Sequence, residues 1–217
     1  GSQIKALEDR MQEYLGIKHA IGCASGTDAL VLAVKALGIG EGDEIITTPF
    51  TFFATASSIW RNHAHPVFVD IDPKTFNIDP TKIEAAITPR TKAIMPVHLF
   101  GQCADMEAIM IIAKNHNLKV IEDNAQGIGC TFNGKMSCSF GDIGTLSFFP
   151  SKNLGAMGDA GMCLTNDDDL AAKLKQLRVH GENPKYYNKW VGLNSRMDTM
   201  QTSVLLGKLE ELERWSE

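Results

Sequence analysis

The sequence has 217 residues, 44% of them hydrophobic and 22% charged, with 19 glycines and 8 prolines. That balance describes a soluble globular protein with ample material for one core, and it excludes a disordered or collagen-like chain. A net charge of -5 and the lack of any window near the ~20 apolar residues of a membrane span leave nucleic acid and membrane surfaces unexpected as partners.

Short apolar runs alternate with helical patterns along the chain. Ile4, Leu7, Met11, Tyr14 and Leu15 have helical spacing and predict an amphipathic helix. His19 to Cys23 reads as a buried strand, and Ser25-Gly26-Thr27-Asp28 starts a helix to about Leu37, stopped by Gly38, Gly40 and Gly42. Strands are expected at Glu44–Thr48, Pro66–Asp70, Lys92–Val97 and Leu118–Ile121, with helices at Phe52–Trp60, Thr81–Ile87 and Met106–His116 between them. Asn133-Gly134 marks a two-residue hairpin. Strands at Ile143–Phe148 and Met162–Thr165 follow, then a helix at Asp168–Val179. Asp198 to Trp215 reads as one helix with an apolar stripe at 200, 204, 205, 209 and 212. Strand-helix alternation of this kind predicts an α/β fold, a mainly parallel sheet between helices, in a single domain.

No signal peptide is expected, because the N-terminus lacks a basic stretch followed by an apolar run, and Gly1-Ser2 reads as a tag scar. The five cysteines form no CxxC pair and no His/Cys cluster of zinc spacing, so they read as reduced thiols of a cytoplasmic protein without a metal site.

Ligands of such sheets bind beyond the carboxyl ends of the strands. The residues at those ends are Ser25-Gly26-Thr27, Thr48 to Phe53, His98, Asp123 to Gln126 and Ser147 to Lys152. Ser25-Gly26-Thr27 is either a helix N-cap or a phosphate site built from free N–H groups and a helix dipole. It is neither a P-loop nor a G-x-G-x-x-G turn, which disfavours a nicotinamide dehydrogenase. Asp123 closes an apolar strand, where a carboxylate needs a partner: an ion pair, a helix cap or a protonated ring nitrogen. Lys152 stands among aromatic and small residues. It is either a solvated surface lysine or an amine whose pKa is lowered by an apolar cleft, which makes it a nucleophile.

Taken in order, the motifs resemble the DegT/DnrJ/EryC1/StrS sugar aminotransferases, which use pyridoxal 5'-phosphate (PLP) and have the type I aspartate aminotransferase fold. They are Ser25-Gly26-Thr27-Asp28-Ala29-Leu30, Thr48-Pro49-Phe50-Thr51-Phe52, Phe68-Val69-Asp70-Ile71-Asp72, Pro96-Val97-His98-Leu99-Phe100-Gly101-Gln102, Glu122-Asp123-Asn124-Ala125-Gln126, Ser147-Phe148 with Lys152, and Asn194-Ser195-Arg196-Met197-Asp198. Within the group, Thr88 to Ile94 and Gly101 to Asp105 are most similar to enzymes that aminate UDP-2-acetamido-2-deoxy-3-oxo-glucuronate.

The resemblance implies amino transfer from glutamate to a keto sugar nucleotide for cell-surface polysaccharide. It assigns Lys152 to hold the cofactor through its ε-amine and to carry the substrate proton, and Asp123 to keep the pyridine nitrogen protonated. Gln126 would bond the phenolic oxygen, Phe52 would stack on the ring, and Gly26, Thr27 and Ser147 would take the phosphate. Asn194 and Arg196 would reach the neighbouring subunit's phosphate and substrate, which implies a homodimer with shared sites. Related dehydratases carry histidine at the lysine position, so Lys152 favours transamination.

Two departures accompany the resemblance. Family members are longer, so residues 1–217 are expected to be the PLP-binding large domain without the first N-terminal element and the small C-terminal domain. The alternative is a truncated, non-catalytic module that binds PLP and dimerises. Ala160 in Gly158-Asp159-Ala160-Gly161 replaces a usual glycine, and its methyl matters if that position needs a positive φ.

Overall fold

The structure is a computed structural model and describes residues 1–216. Its main sheet has seven strands, in the order β1 (His19–Cys23), β9 (Gly161–Thr165), β8 (Ile143–Ser147), β5 (Lys119–Asp123), β4 (Thr91–Ile94), β2 (Glu44–Thr47) and β3 (His65–Phe68). The pairs from β8 to β3 are parallel, and β9 alone runs antiparallel to both of its neighbours. Thus β1, β8, β5, β4 and β2 all end on one edge. The expected hairpin is β6 (Thr131–Phe132) with β7 (Lys135–Met136), and Asn133 and Gly134 take the positive φ values that its tight turn demands.

The central strands are largely buried because helices cover both faces. Side chains alternate across a strand, so neighbours in sequence enter opposite layers. Ile45, Ala93 and Ile121 pack under α2 (Gly26–Ala36), α3 (Phe53–Arg61) and α5 (Asp168–Leu177), whereas Ile46, Ile94 and Val120 pack on α4 (Met106–Asn115). On that second face, Leu146, Met162 and Leu164 meet α1 (Ser2–Leu15) and α6 (Thr199–Leu209). Leu7, Met11 and Leu15 of α1 recur every fourth residue and are buried. At ~2 kcal/mol for each buried side chain, that stripe holds a helix of marginal length far better than propensity does.

Several boundaries differ from expectation. Residues 81–87 form two 3-10 turns, Pro80–Lys82 and Glu84–Ala86, because Pro80 and the Asp79 carboxylate cap the first turn and the chain extends again at Ile87. β3 and β4 end at Phe68 and Ile94, short of Asp70 and Val97. The last stripe is broken into α6 and α7 (Leu212–Ser216) where Glu211 N–H bonds the Lys208 carbonyl, a tightened final turn. Leu205, Leu209 and Leu212 are buried, but Met200 is 79% exposed and lies off the stripe. Ala160 needs no positive φ: it is buried, and its carbonyl accepts Phe148 N–H at 2.8 Å.

Candidate active site

Five strand ends converge on a cavity of about 510 Å³, whose lining includes Gly26, Thr27, Phe52, Asp123, Gln126, Ser147 and Lys152. Each of these had been singled out from the sequence. Asn194 and Arg196 do not line it and are exposed. Ser195 between them is buried, and its hydroxyl donates to the Asp28 carboxylate at 2.7 Å and accepts Ala24 N–H at 3.3 Å. That serine fixes the 194–196 segment behind the N-terminus of α2.

One wall is the first turn of α2. Ser25 is extended and its hydroxyl accepts Asp28 N–H at 3.1 Å, so the N-cap reading holds. The amides of Gly26 and Thr27 precede the first intrahelical bonds and carry the positive end of the helix dipole. A Cβ on Gly26 would lie 2.5 Å from Cβ of Ser147. Only glycine lets the end of β8 and the start of α2 close to this distance.

Asp123 forms the floor. It is 3% exposed. One carboxylate oxygen accepts the Thr55 hydroxyl at 2.7 Å and the other accepts Ala125 N–H at 3.2 Å. Burial pushes its pKa up, while Thr55, Ala125 and the Lys152 charge pull it down without overcoming that rise. Thr55 has one proton and gives it to Asp123, so at 2.8 Å it accepts from Thr51. A polarised hydroxyl chain, Thr51 to Thr55 to Asp123, therefore descends from the cavity wall to its floor. Thr55 is the site residue that sequence reasoning missed. The available signal was its spacing of four from Thr51, which puts both on one face of α3.

Lys152 rides on a loop between β8 and β9. Phe148 closes its neck, donating N–H to the Ala160 carbonyl and accepting Ala156 N–H, each at 2.8 Å. Lys152 N–H bonds the Phe149 carbonyl at 2.8 Å, and a Cβ on Gly155 would lie 2.4 Å from the Pro150 oxygen. Burial lowers the Lys152 pKa, opposed by the charge of Asp123. Such an amine is more readily available as a nucleophile than a surface lysine. Opposite it, Gln126 Oε1 accepts Phe100 N–H at 3.2 Å, which leaves its amide nitrogen free to donate into the cavity.

Directly behind the floor lies a second, sealed polar cluster. His98 and Glu122 are fully buried, with Nε2 2.9 Å from the carboxylate. His98 Nδ1 accepts Ala104 N–H at 3.1 Å, so the proton sits on Nε2 and is donated to Glu122. Glu122 also accepts N–H from Cys138, Phe140 and Gly141 at 2.7–2.8 Å. Burial would push its pKa up, but His98 and the Gly141 and Cys138 amides hold it below the ordinary glutamate value.

Comparison with known proteins gives this constellation a family. The sequence model of the DegT/DnrJ/EryC1/StrS aminotransferase family matches residues 1–217. The chain is 58% identical over 217 residues to a pleiotropic regulatory protein of Geobacillus stearothermophilus. It is 52% identical over 213 residues to the UDP-2-acetamido-2-deoxy-3-oxo-D-glucuronate aminotransferase of Pseudomonas aeruginosa. The alignments cover 100% and 98% of this chain and 58% and 59% of those relatives. It superposes on the crystal structure of ntda from Bacillus subtilis, with bound cofactor PMP, at a TM-score of 0.94 and 43% identity, over 99% of this chain and 49% of that one. With the fold, the strand-end motifs and the match over residues 1–217 in agreement, the chain belongs to the DegT/DnrJ/EryC1/StrS aminotransferase family, whose cofactor is PLP.

Proposed function

We propose that this chain is the PLP-binding part of an enzyme that transfers an amino group from glutamate to a keto sugar nucleotide in cell-surface polysaccharide biosynthesis. One observation carries the reading: a buried carboxylate, an amine of lowered pKa and a helix N-terminus all face one cavity of about 510 Å³. Those are the groups that a protonated pyridine, a reactive carbonyl and a phosphate require. Gly26 and Thr27 at the N-terminus of α2 line the cavity together with Ser147, so the residues fit the cofactor.

When bound, PLP supplies an electron sink for the charge left as a proton leaves the substrate carbon. The chain does the rest. Asp123 holds the ring nitrogen protonated, and Thr55 keeps that carboxylate oriented and charged. Lys152 would hold the cofactor through its ε-amine, and the same amine would take the proton from the substrate carbon and return it. Gln126 donates its free amide N–H to the phenolic oxygen. Phe52, 71% exposed, covers a ring face. Gly26 and Thr27 N–H groups and the Ser147 hydroxyl bind phosphate. Asn194 and Arg196, exposed beside α2, serve the active site of a second copy across the two-fold axis of a homodimer. The Pseudomonas relative favours a UDP-linked 3-keto sugar as acceptor. Five free thiols suit the cytoplasm, where such sugar nucleotides are made.

The test uses the full-length protein. Borohydride should fix PLP to Lys152, glutamate should bleach the visible absorbance, and a panel of UDP- and dTDP-keto sugars should identify the acceptor. Lys152→Ala should abolish both trapping and turnover while folding normally. Reducible cofactor in that variant would overturn the assignment. Mixing Lys152→Ala subunits with Asn194→Ala/Arg196→Ala subunits should restore activity. No recovery in proven heterodimers would mean that each site comes from one chain.

A further inference from the structure

Cys103 and Cys130 belong to none of the groups described so far. They are 27 residues apart in sequence, yet their sulfurs lie 3.0 Å apart. Both are free thiols. Their approach is built into the backbone on each side. Next to Cys103, Ala104 N–H is anchored on His98 Nδ1 at 3.1 Å, and Cys130 N–H is anchored on the Gly127 carbonyl at 3.0 Å. Cys130 is half-buried, while Cys103 is only 9% exposed. An accessible thiol with a second one in contact is the arrangement of an attacking and a resolving cysteine.

We propose that Cys103 and Cys130 are an oxidisable dithiol that hydrogen peroxide converts to a disulfide beside the Gln126 wall of the cavity. The Cys130 thiolate attacks one peroxide oxygen, the O–O bond breaks, and the other oxygen leaves as hydroxide, which takes up a proton to become water. Cys103 sulfur then attacks the sulfenic sulfur of Cys130. The S–S bond forms, the S–O bond breaks, and the hydroxyl leaves with the Cys103 proton as the second water. Two thiols and one peroxide give one disulfide and two waters. The sulfurs must close from 3.0 Å to a bond of ~2.05 Å.

Electrostatics agree with the order of attack. The contact with Cys103 holds Cys130 down to about 6 against the burial that raises it, while the Cys130 sulfur and burial push Cys103 up. The other cysteines, Cys23, Cys138 and Cys163, are fully buried and serve as internal controls. Closure would staple the Leu99–Ala104 segment to the Gly127–Cys130 turn. Those segments flank the Phe100 N–H to Gln126 contact of 3.2 Å.

The experiment treats the full-length, PLP-loaded protein with hydrogen peroxide and maps its peptides without reduction. The expected product is one cross-link between the Cys103 and Cys130 peptides, with the mass of two hydrogens lost and recovered on adding dithiothreitol. Hydrogen exchange of residues 99–104 and 126–130 should slow on oxidation. Cys103→Ser should accumulate a dimedone-reactive sulfenic acid at Cys130, and Cys130→Ser should lose the fast reaction. The wild-type map alone decides the matter if a variant misfolds. A linkage absent from the oxidised wild type, or equal oxidation of all five cysteines, would sink the proposal.

Discussion

Glu122 and Asp123 are adjacent in sequence, equally buried and on the same strand, yet they are opposite in character. Strand alternation sends Asp123 to the cavity face and Glu122 into the sealed layer behind it. Glu122 accepts four donors and its carboxylate is held low; Asp123 accepts two and is held high. The difference is unspent capacity. A saturated carboxylate holds a fold together, whereas an under-coordinated one at the bottom of a cavity still has lone pairs to offer a cationic ligand.

The sharpest way to break this contrast is to neutralise each carboxylate in turn. Asp123→Asn in the full-length enzyme should retain PLP but lose roughly a thousandfold or more in turnover, because the ring nitrogen loses its counter-charge. Stopped-flow absorbance with glutamate checks this, and near wild-type rates would reassign Asp123 to structure. Glu122→Gln should do the reverse. Removing the acceptor of four donors should cost about 3 kcal/mol in urea unfolding, with turnover per folded molecule within a few-fold of wild type.

A subtler test concerns pH. Glu122 has a folded pKa below its unfolded value, so its contribution is present above ~4.3 and lost as pH falls through the folded pKa. Asp123 has a raised folded pKa, so in the cofactor-free protein its contribution is present below ~3.9 and lost as pH rises through the folded value. Glu122→Gln should therefore flatten the acid side of the stability profile, and Asp123→Asn should flatten the loss on raising pH. Profiles with the same sign for both would refute the distinction.

The smallest expected effect belongs to Thr55. Thr55→Val removes a donor that lowers the Asp123 pKa, so the acid limb of the kcat profile should move to higher pH, with a roughly tenfold loss at its plateau. Thr55→Ser keeps the hydroxyl and should restore both. A uniform loss without movement of the limb would make Thr55 a packing residue.

Much of this arrangement could be read directly. Buried apolar runs ending in small, acidic or basic residues identify β1, β2, β5 and β8 and what each one delivers, because strands covered on both faces leave little ambiguity of period. Contacts between residues distant in sequence could not be read. Thr55 meets Asp123 across a separation of 68, and Cys103 meets Cys130 across 27, through tertiary packing that no local pattern encodes. The antiparallel insertion of β9 between β1 and β8 was equally hidden, since a short apolar run carries no direction. Helix ends were lost where proline and capping carboxylates tightened the turns, as at Pro80.

The closed neck of the Lys152 loop has a consequence for entropy. Phe148 pins both flanks of the loop, and the Gly155 backbone packs against Pro150. The backbone that presents the amine is therefore already ordered, and covalent capture of a carbonyl freezes little beyond the torsions of one side chain. At ~1–2 kcal/mol for each residue that would otherwise need ordering, this preformed loop would leave most of the attachment free energy of the proposed Lys152 linkage for holding the cofactor.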